Sequence, residues 1–260
     1  MHPFIVIFKH EIFSLFISSS TYIASFYFLT LIGVGFHFFL ESFAYTDWIL
    51  PPLSSLVIGL FFGAPALVPF LTMRSFAEER KLGTLETLLT TPIDYGVLVL
   101  GKWSACFFFF MKICALAFIY PLILLYLYPD QGFNLGFSSV HYWFGCSLYL
   151  LLYGASFTAI GVFASVMTKN QMVAGMLSFT LITLYISLMA LSSSAKHSIA
   201  INTKPIYQFL EQSLAPFTNG FDKLEQFSVG FIDLSTIFHQ IIFTIFVLIL
   251  SSIQLNRLNK

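Results

Sequence analysis

Residues 74–92 read RSFAEERKLGTLETLLTTP, and they set Arg74, Glu78, Glu79, Arg80, Lys81 and Glu86 between two long apolar segments. The chain around them is 58% apolar and only 9% charged, with 33 Phe among 260 residues and a balanced formal charge. That composition cannot cover a water-facing surface at this length. An integral membrane protein is the class it predicts, and the charged stretch is where the chain leaves the bilayer.

A hydrocarbon core of about 30 Å needs roughly 20 apolar residues per helix. Runs of that kind occur at 21–40, 54–73, 103–128, 142–167, 172–191 and 237–255. Pro51-Pro52, Pro129-Asp130-Gln131-Gly132 and Thr168-Lys169-Asn170-Gln171 separate some of them, and this is turn chemistry that a lipid-facing helix does not hold. The runs are too long for strands and lack period-two alternation. The expected fold is therefore all-α and polytopic, one membrane domain over 1–260 with six spans.

Basic residues are retained on the cytoplasmic side of short loops. With the N-terminus inside, Lys9, Arg74, Arg80, Lys81, Lys102, Lys169, Arg257 and Lys260 all lie on that side, and the short outer loops carry no Lys or Arg. Lys196, Lys204 and Lys223 fall in the outer segment 192–235. Both termini are thus expected in the cytoplasm. The N-terminus lacks the basic region and small-residue cleavage site of a signal peptide. In residues 3–18, Phe4, Ile5, Phe8, Ile12, Leu15 and Phe16 gather near one face, with Lys9, Glu11, Ser14 and Ser18 towards the other. This predicts an interfacial helix over 1–20; the alternative is an N-terminal extension of the first span.

Chemistry on a bound substrate finds no support. Cys106, Cys114 and Cys146 fall inside predicted spans and make no CxxC pair. The six histidines have no ligand spacing, so no metal is expected. GxSxG, GxGxxG and the phosphate-cradling GxxxxGK[ST] are all missing from the sequence. Neither a catalytic residue nor a cofactor is assigned.

Read physically, Ser75 and Glu78 form a capping-box pair that starts a helix below span two. Glu78 and Glu79 suit its positive end, Arg80 and Lys81 its negative end. Gly83 is the place for it to break, and Thr84 can open a further turn in which Leu85, Leu88 and Leu89 share a face until Pro92. One reading rests that Leu face on the headgroups. The other docks it on a protein, and mixed charge around an apolar stripe suits a protein better than an anionic lipid surface.

The stretch resembles the loop between spans two and three of ABC-2 type permeases, of the form R-x-F-x-x-E-x-x-x-G-T-x-E-x-L-L-x-x-P. Arg74, Phe76, Glu79, Gly83, Thr84, Glu86, Leu88, Leu89 and Pro92 carry the match, followed by Gly101-Lys102. The segment from Phe217 through Gly220, Phe221, Leu224, Phe227, Ser228 and Gly230 to Asp233 is similar to that family's outer segment before the last span. Within the family, the chain looks most like the gliding-motility-associated and copper-processing permeases, with a type V exporter-like fold.

The resemblance implies that residues 74–95 hold a cytoplasmic coupling helix, with Glu78, Glu79, Arg80, Gly83, Thr84, Leu85, Glu86, Leu88, Leu89 and Pro92 docking a separate ATPase. Two ATPase copies and a second permease copy, identical or not, would complete an exporter in the bacterial inner membrane. Membrane lipid is the other partner, and no nucleic acid is implied. ATP hydrolysis then belongs to the partner, and alternating access is the implied mechanism. An ion-coupled secondary transporter would need midplane carboxylates, and the six runs contain no Asp or Glu. A scaffold for a soluble complex would need the same docking element but no pathway.

Lys112 stands near the middle of the third run, about 15 Å along the helix from Lys102. It either meets an anionic group of the cargo in the pathway, or bonds carbonyls or snorkels at an interface. Pro121 should kink the same run. Gly145, Gly154, Ala155, Gly161 and Gly175 offer close helix approach. Ile206, Phe209, Leu210 and Leu214 form an amphipathic piece that lies at the outer headgroup level or folds back into the bundle, and the fold-back is what the family resemblance implies.

Overall fold

Apolar runs of this length satisfy their own backbone only as helices when water is absent. The computed structural model describes residues 3–45, 52–85, 94–128, 139–199 and 220–258, and every regular element among them is a helix. In chain order these are α1 (Pro3–Ile17), α2 (Ser19–Tyr45), α3 (Pro52–Thr72), α4 (Ala77–Leu82), α5 (Tyr95–Ala117), α6 (Ile119–Leu127), α7 (Val140–Met167), α8 (Gln171–Ile199), α9 (Gly220–Ser228) and α10 (Leu234–Leu258). Among the described residues, six stretches are long and apolar enough to cross a membrane: Ser19–Glu41, Leu53–Leu82, Tyr95–Leu127, Val140–Met167, Gln171–Met189 and Leu234–Arg257.

Span four, α7, is the axis of the bundle, touching α3, α5, α8, α9 and α10. Its glycines explain how neighbours come so close. A Cβ on Gly154 would enter the Phe110 ring of α5, one on Gly161 would strike the Thr72 side chain of α3, and one on Gly145 would strike the Phe227 carbonyl of α9. Gly175 on α8 differs, since an added Cβ would meet only the Met73 side chain, at an ordinary 3.6 Å from Sδ and 3.8 Å from Cβ. Phe61 of α3 meets Tyr153 of α7 edge-on and Tyr149 and Phe157 at a tilt, filling the core between spans two and four. Span two also tolerates Pro65 and Pro69 inside its helix.

Span three differs from its expected limits. It begins at Tyr95 rather than 103, so Lys102 lies two turns inside a helix and not ahead of it. The kink expected at Pro121 occurs as a break one turn earlier, where α5 closes at Ala117, Phe118 forms the joint and α6 restarts. Pro121 has no N–H for the Ala117 carbonyl, which is why the helix opens there. Tyr120 then donates its hydroxyl to the Leu29 carbonyl of α2 at 2.8 Å, beside Gly33.

The N-terminal helix packs along α5. Ile7 seats on Gly101, Phe8 meets Phe108 edge-on, and Phe16 meets Phe109 at 5.3 Å. Its polar assignment needs one correction, because Glu11 is buried while Ile5 and Phe13 are exposed. Glu11 turns inward because a cation awaits it there. The piece from Ile206 to Leu214 lies outside the described residues. Its neighbour α9 folds onto α3, α7 and α8, burying Leu224 and Phe227.

Candidate functional site

The charged stretch begins where span two ends. Met73 still donates its N–H to the Pro69 carbonyl, and Ser75 turns its hydroxyl back to the Thr72 carbonyl at 2.9 Å. The capping box expected between Ser75 and Glu78 is therefore not formed. Phe76 occupies the cap position of α4 without any side-chain cap of its own. The missing acceptor arrives from span four: Ser165 Oγ takes the N–H groups of Phe76 and Ala77, each at 3.1 Å. First-turn N–H groups have no intrahelical partner, and this hydroxyl satisfies two of them at once.

The exchange is reciprocal. Arg80 was expected to serve the negative end of its own helix, but its Nη1 donates to the Val166 carbonyl at 2.8 Å and the Thr168 carbonyl at 3.3 Å. Those carbonyls close the C-terminal end of α7, where a cation is favoured. Each helix thus caps the other. Arg74 ties the same corner to the start of α2, donating to Ser18 Oγ at 2.8 Å.

On the opposite side, Lys102 gathers three oxygens. Its Nζ lies 2.7 Å from Glu79 Oε1 and 3.3 Å from Glu11 Oε2, and it donates to the Ser75 carbonyl. Lys102 is only 2% exposed, and the Phe76 ring covers its ammonium at 5.0 Å. Burial pushes the Glu11 carboxyl above the ordinary carboxylate range, against the pull of Lys102. Sequence reasoning placed Lys102 and Glu11 on the solvated side and did not pair them. The readable signal was a single acid in an apolar N-terminal helix and a single base just after Gly101.

These contacts sort the docking residues. Glu79 and Arg80 are committed within the chain, and Leu85, expected in a partner's groove, lies in this chain's own core at 4% exposure. Glu78 is half-buried, while Lys81, Leu82, Gly83 and Thr84 form an exposed edge. Leu82, which sequence reasoning passed over, is 68% exposed. Gly83 ends α4 in the left-handed region at φ 73°, as its position promised. Glu86, Leu88, Leu89 and Pro92 lie outside the described residues.

Lys112 is half-buried against the N-terminal helix, its ammonium 4.1 Å from the Phe16 ring centre and 5.1 Å from that of Phe109. Two aromatic faces are favourable company for a cation in apolar surroundings.

A family model described as ABC-2 family transporter protein matches residues 7–253. No curated protein matches the chain.

Proposed function

The chain belongs to the ABC-2 family of transporter proteins, and from that premise we propose that it is a permease subunit driven by a separate cytoplasmic ATPase that docks on the exposed edge of α4. The observation that carries this reading is a helix of six residues, Ala77–Leu82, with its inner face fastened to spans three and four and its outer edge uncovered. So short a helix does not persist alone in water. Fixed from behind, it offers Glu78, Lys81, Leu82, Gly83 and Thr84 as a rigid surface. A complementary groove has an apolar seat for Leu82, an acidic group for Lys81 and a basic one for Glu78. Glu86, Leu88, Leu89 and Pro92 continue the same docking element.

In this reading both termini and α4 face the cytoplasm, the membrane is the bacterial inner membrane, and the assembly holds two permease copies with two ATPases. ATP closes the ATPases on each other, the docked helices follow, and the attached spans change the side to which the pathway opens. Export is the direction the family resemblance favours. The test is recovery of a Walker-motif ATPase with the chain from its native cell in mild detergent. Wild type should bring it down and Leu82→Asp should not, at equal permease yield. An ATPase missing from the wild-type preparation, or recovered undiminished with Leu82→Asp, would overturn the docking reading.

A further inference from the structure

Four pieces of the chain converge on one ammonium. Lys102 belongs to span three, Glu11 to the N-terminal helix, Glu79 to α4, and the Ser75 carbonyl to the end of span two. Two carboxylates share this single cation, and Glu79 Oε2 is buried without a hydrogen-bond partner among the described residues. For holding helices together this is an unfavourable choice, because desolvating charges offsets most of their attraction and an apolar cluster of similar size does as well.

What the ions add is direction. Apolar contact is non-directional and lets one helix slide along another, whereas an ammonium shared by three oxygens fixes where each donor helix sits. Apart from this cluster, α1 meets α5 through side chains such as Ile7, Phe8 and Phe16. The reciprocal caps tie α4 to span four but not to α1. Among the described residues, Lys102 thus bridges the N-terminal helix and the docking helix directly, through Glu11 and Glu79.

We infer that Lys102 is a positioning residue that makes α1, α4 and the inner end of α5 move as one body, so that a displacement imposed on α4 is delivered to span three and the N-terminal helix together. This rests on the docking reading for its driving force. The joint itself does not need it, since the cluster exists within one chain.

The test uses the full chain with Cys106, Cys114 and Cys146 replaced, spin-labelled at Ile5→Cys on α1 and Lys81→Cys on α4, both exposed. Distances are measured in lipid nanodiscs for the permease alone, because Lys81 lies on the proposed docking edge. In the wild-type background the distance distribution should be narrow. Lys102→Met should broaden it, and Lys102→Arg, which keeps a cation between both carboxylates, should restore wild-type behaviour. Should Lys102→Met fail to fold, Glu79→Gln serves in its place, with the broadening expected in the same direction. A Lys102→Met or Glu79→Gln distribution no broader than wild type overturns the inference. Because no ATPase is present, this result is independent of the docking reading, which ATPase recovery decides by itself.

Discussion

Ser165 Oγ, one turn from the end of span four, accepts the N–H of Ala77 at 3.1 Å and that of Phe76 at the same distance. An exposed-looking loop helix is thereby started by a residue 88 positions away in the chain. Losing a cap of this kind costs about 1 kcal/mol. Ser165→Ala should therefore loosen α4 and speed tryptic cleavage at Arg80 and Lys81 in inside-out vesicles. Ser75→Ala, which removes no cap, should leave the cleavage rate near wild type. Equal rates for the two variants would contradict the capping assignment.

Leu82 and Leu85 sit three residues apart and face opposite fates, the first 68% and the second 4% exposed. Truncating a buried leucine costs about 2–5 kcal/mol, so Leu85→Ala should lower the thermal midpoint and yield of the purified permease. Leu82→Ala should leave both unchanged and reduce only ATPase recovery. A Leu82→Ala protein as unstable as Leu85→Ala would place Leu82 inside the fold.

Gly161 and Gly175 separate close packing from ordinary packing. Overfilling a tight contact costs about 1–3 kcal/mol. Gly161→Ala forces the Thr72 side chain off span four, whereas Gly175→Ala meets only the Met73 side chain, with Sδ nearest at 3.6 Å. The thermal midpoint in detergent should fall for Gly161→Ala and hold for Gly175→Ala, and a reversed order would count against the packing of spans two and four.

Asp233 starts α10, accepting from Ser235 N and Thr236 Oγ1 at 3.1 Å each and pairing with Lys223 of α9. The Lys223 hydrogen bond holds its carboxyl below the ordinary carboxylate range. A depressed carboxyl adds stability that is fully present above its unfolded pKa and disappears as pH falls through the folded one. Hydrogen-exchange protection of residues 229–236 should exceed that of Lys223→Met at neutral pH, with the difference vanishing on acidification below the ordinary aspartate range. A difference that grows with acid would reverse the assigned sign.

The sequence made the six spans legible because each is a run of apolar residues long enough to cross a bilayer, and run length needs no knowledge of the fold. Gly83 was legible for a similar reason, since a positive φ is a local demand. The interior of the site was not. Ser165 looks like any small residue of a membrane helix until α4 is laid against it. Leu85, Leu88 and Leu89 share a stripe by spacing, yet spacing cannot say whether a stripe faces a partner or its own core, and Leu85 faces the core. Lys102 and Glu11 are separated by 91 positions, and each alone reads as an interfacial charge. Opposite charges set in apolar surroundings seek each other, and that argument pairs them only once the two helices are known to touch.

Photo-crosslinking in the native cell tests the docking of an ATPase on α4 most directly. A photoreactive amino acid is placed at Leu82 on the exposed edge and, as a control, at Phe26 on the exposed face of α2. The account predicts an adduct between the Leu82 position and a Walker-motif ATPase, and no such adduct from Phe26. Adducts to the ATPase from neither position, or equally from both, at matched expression, would contradict it.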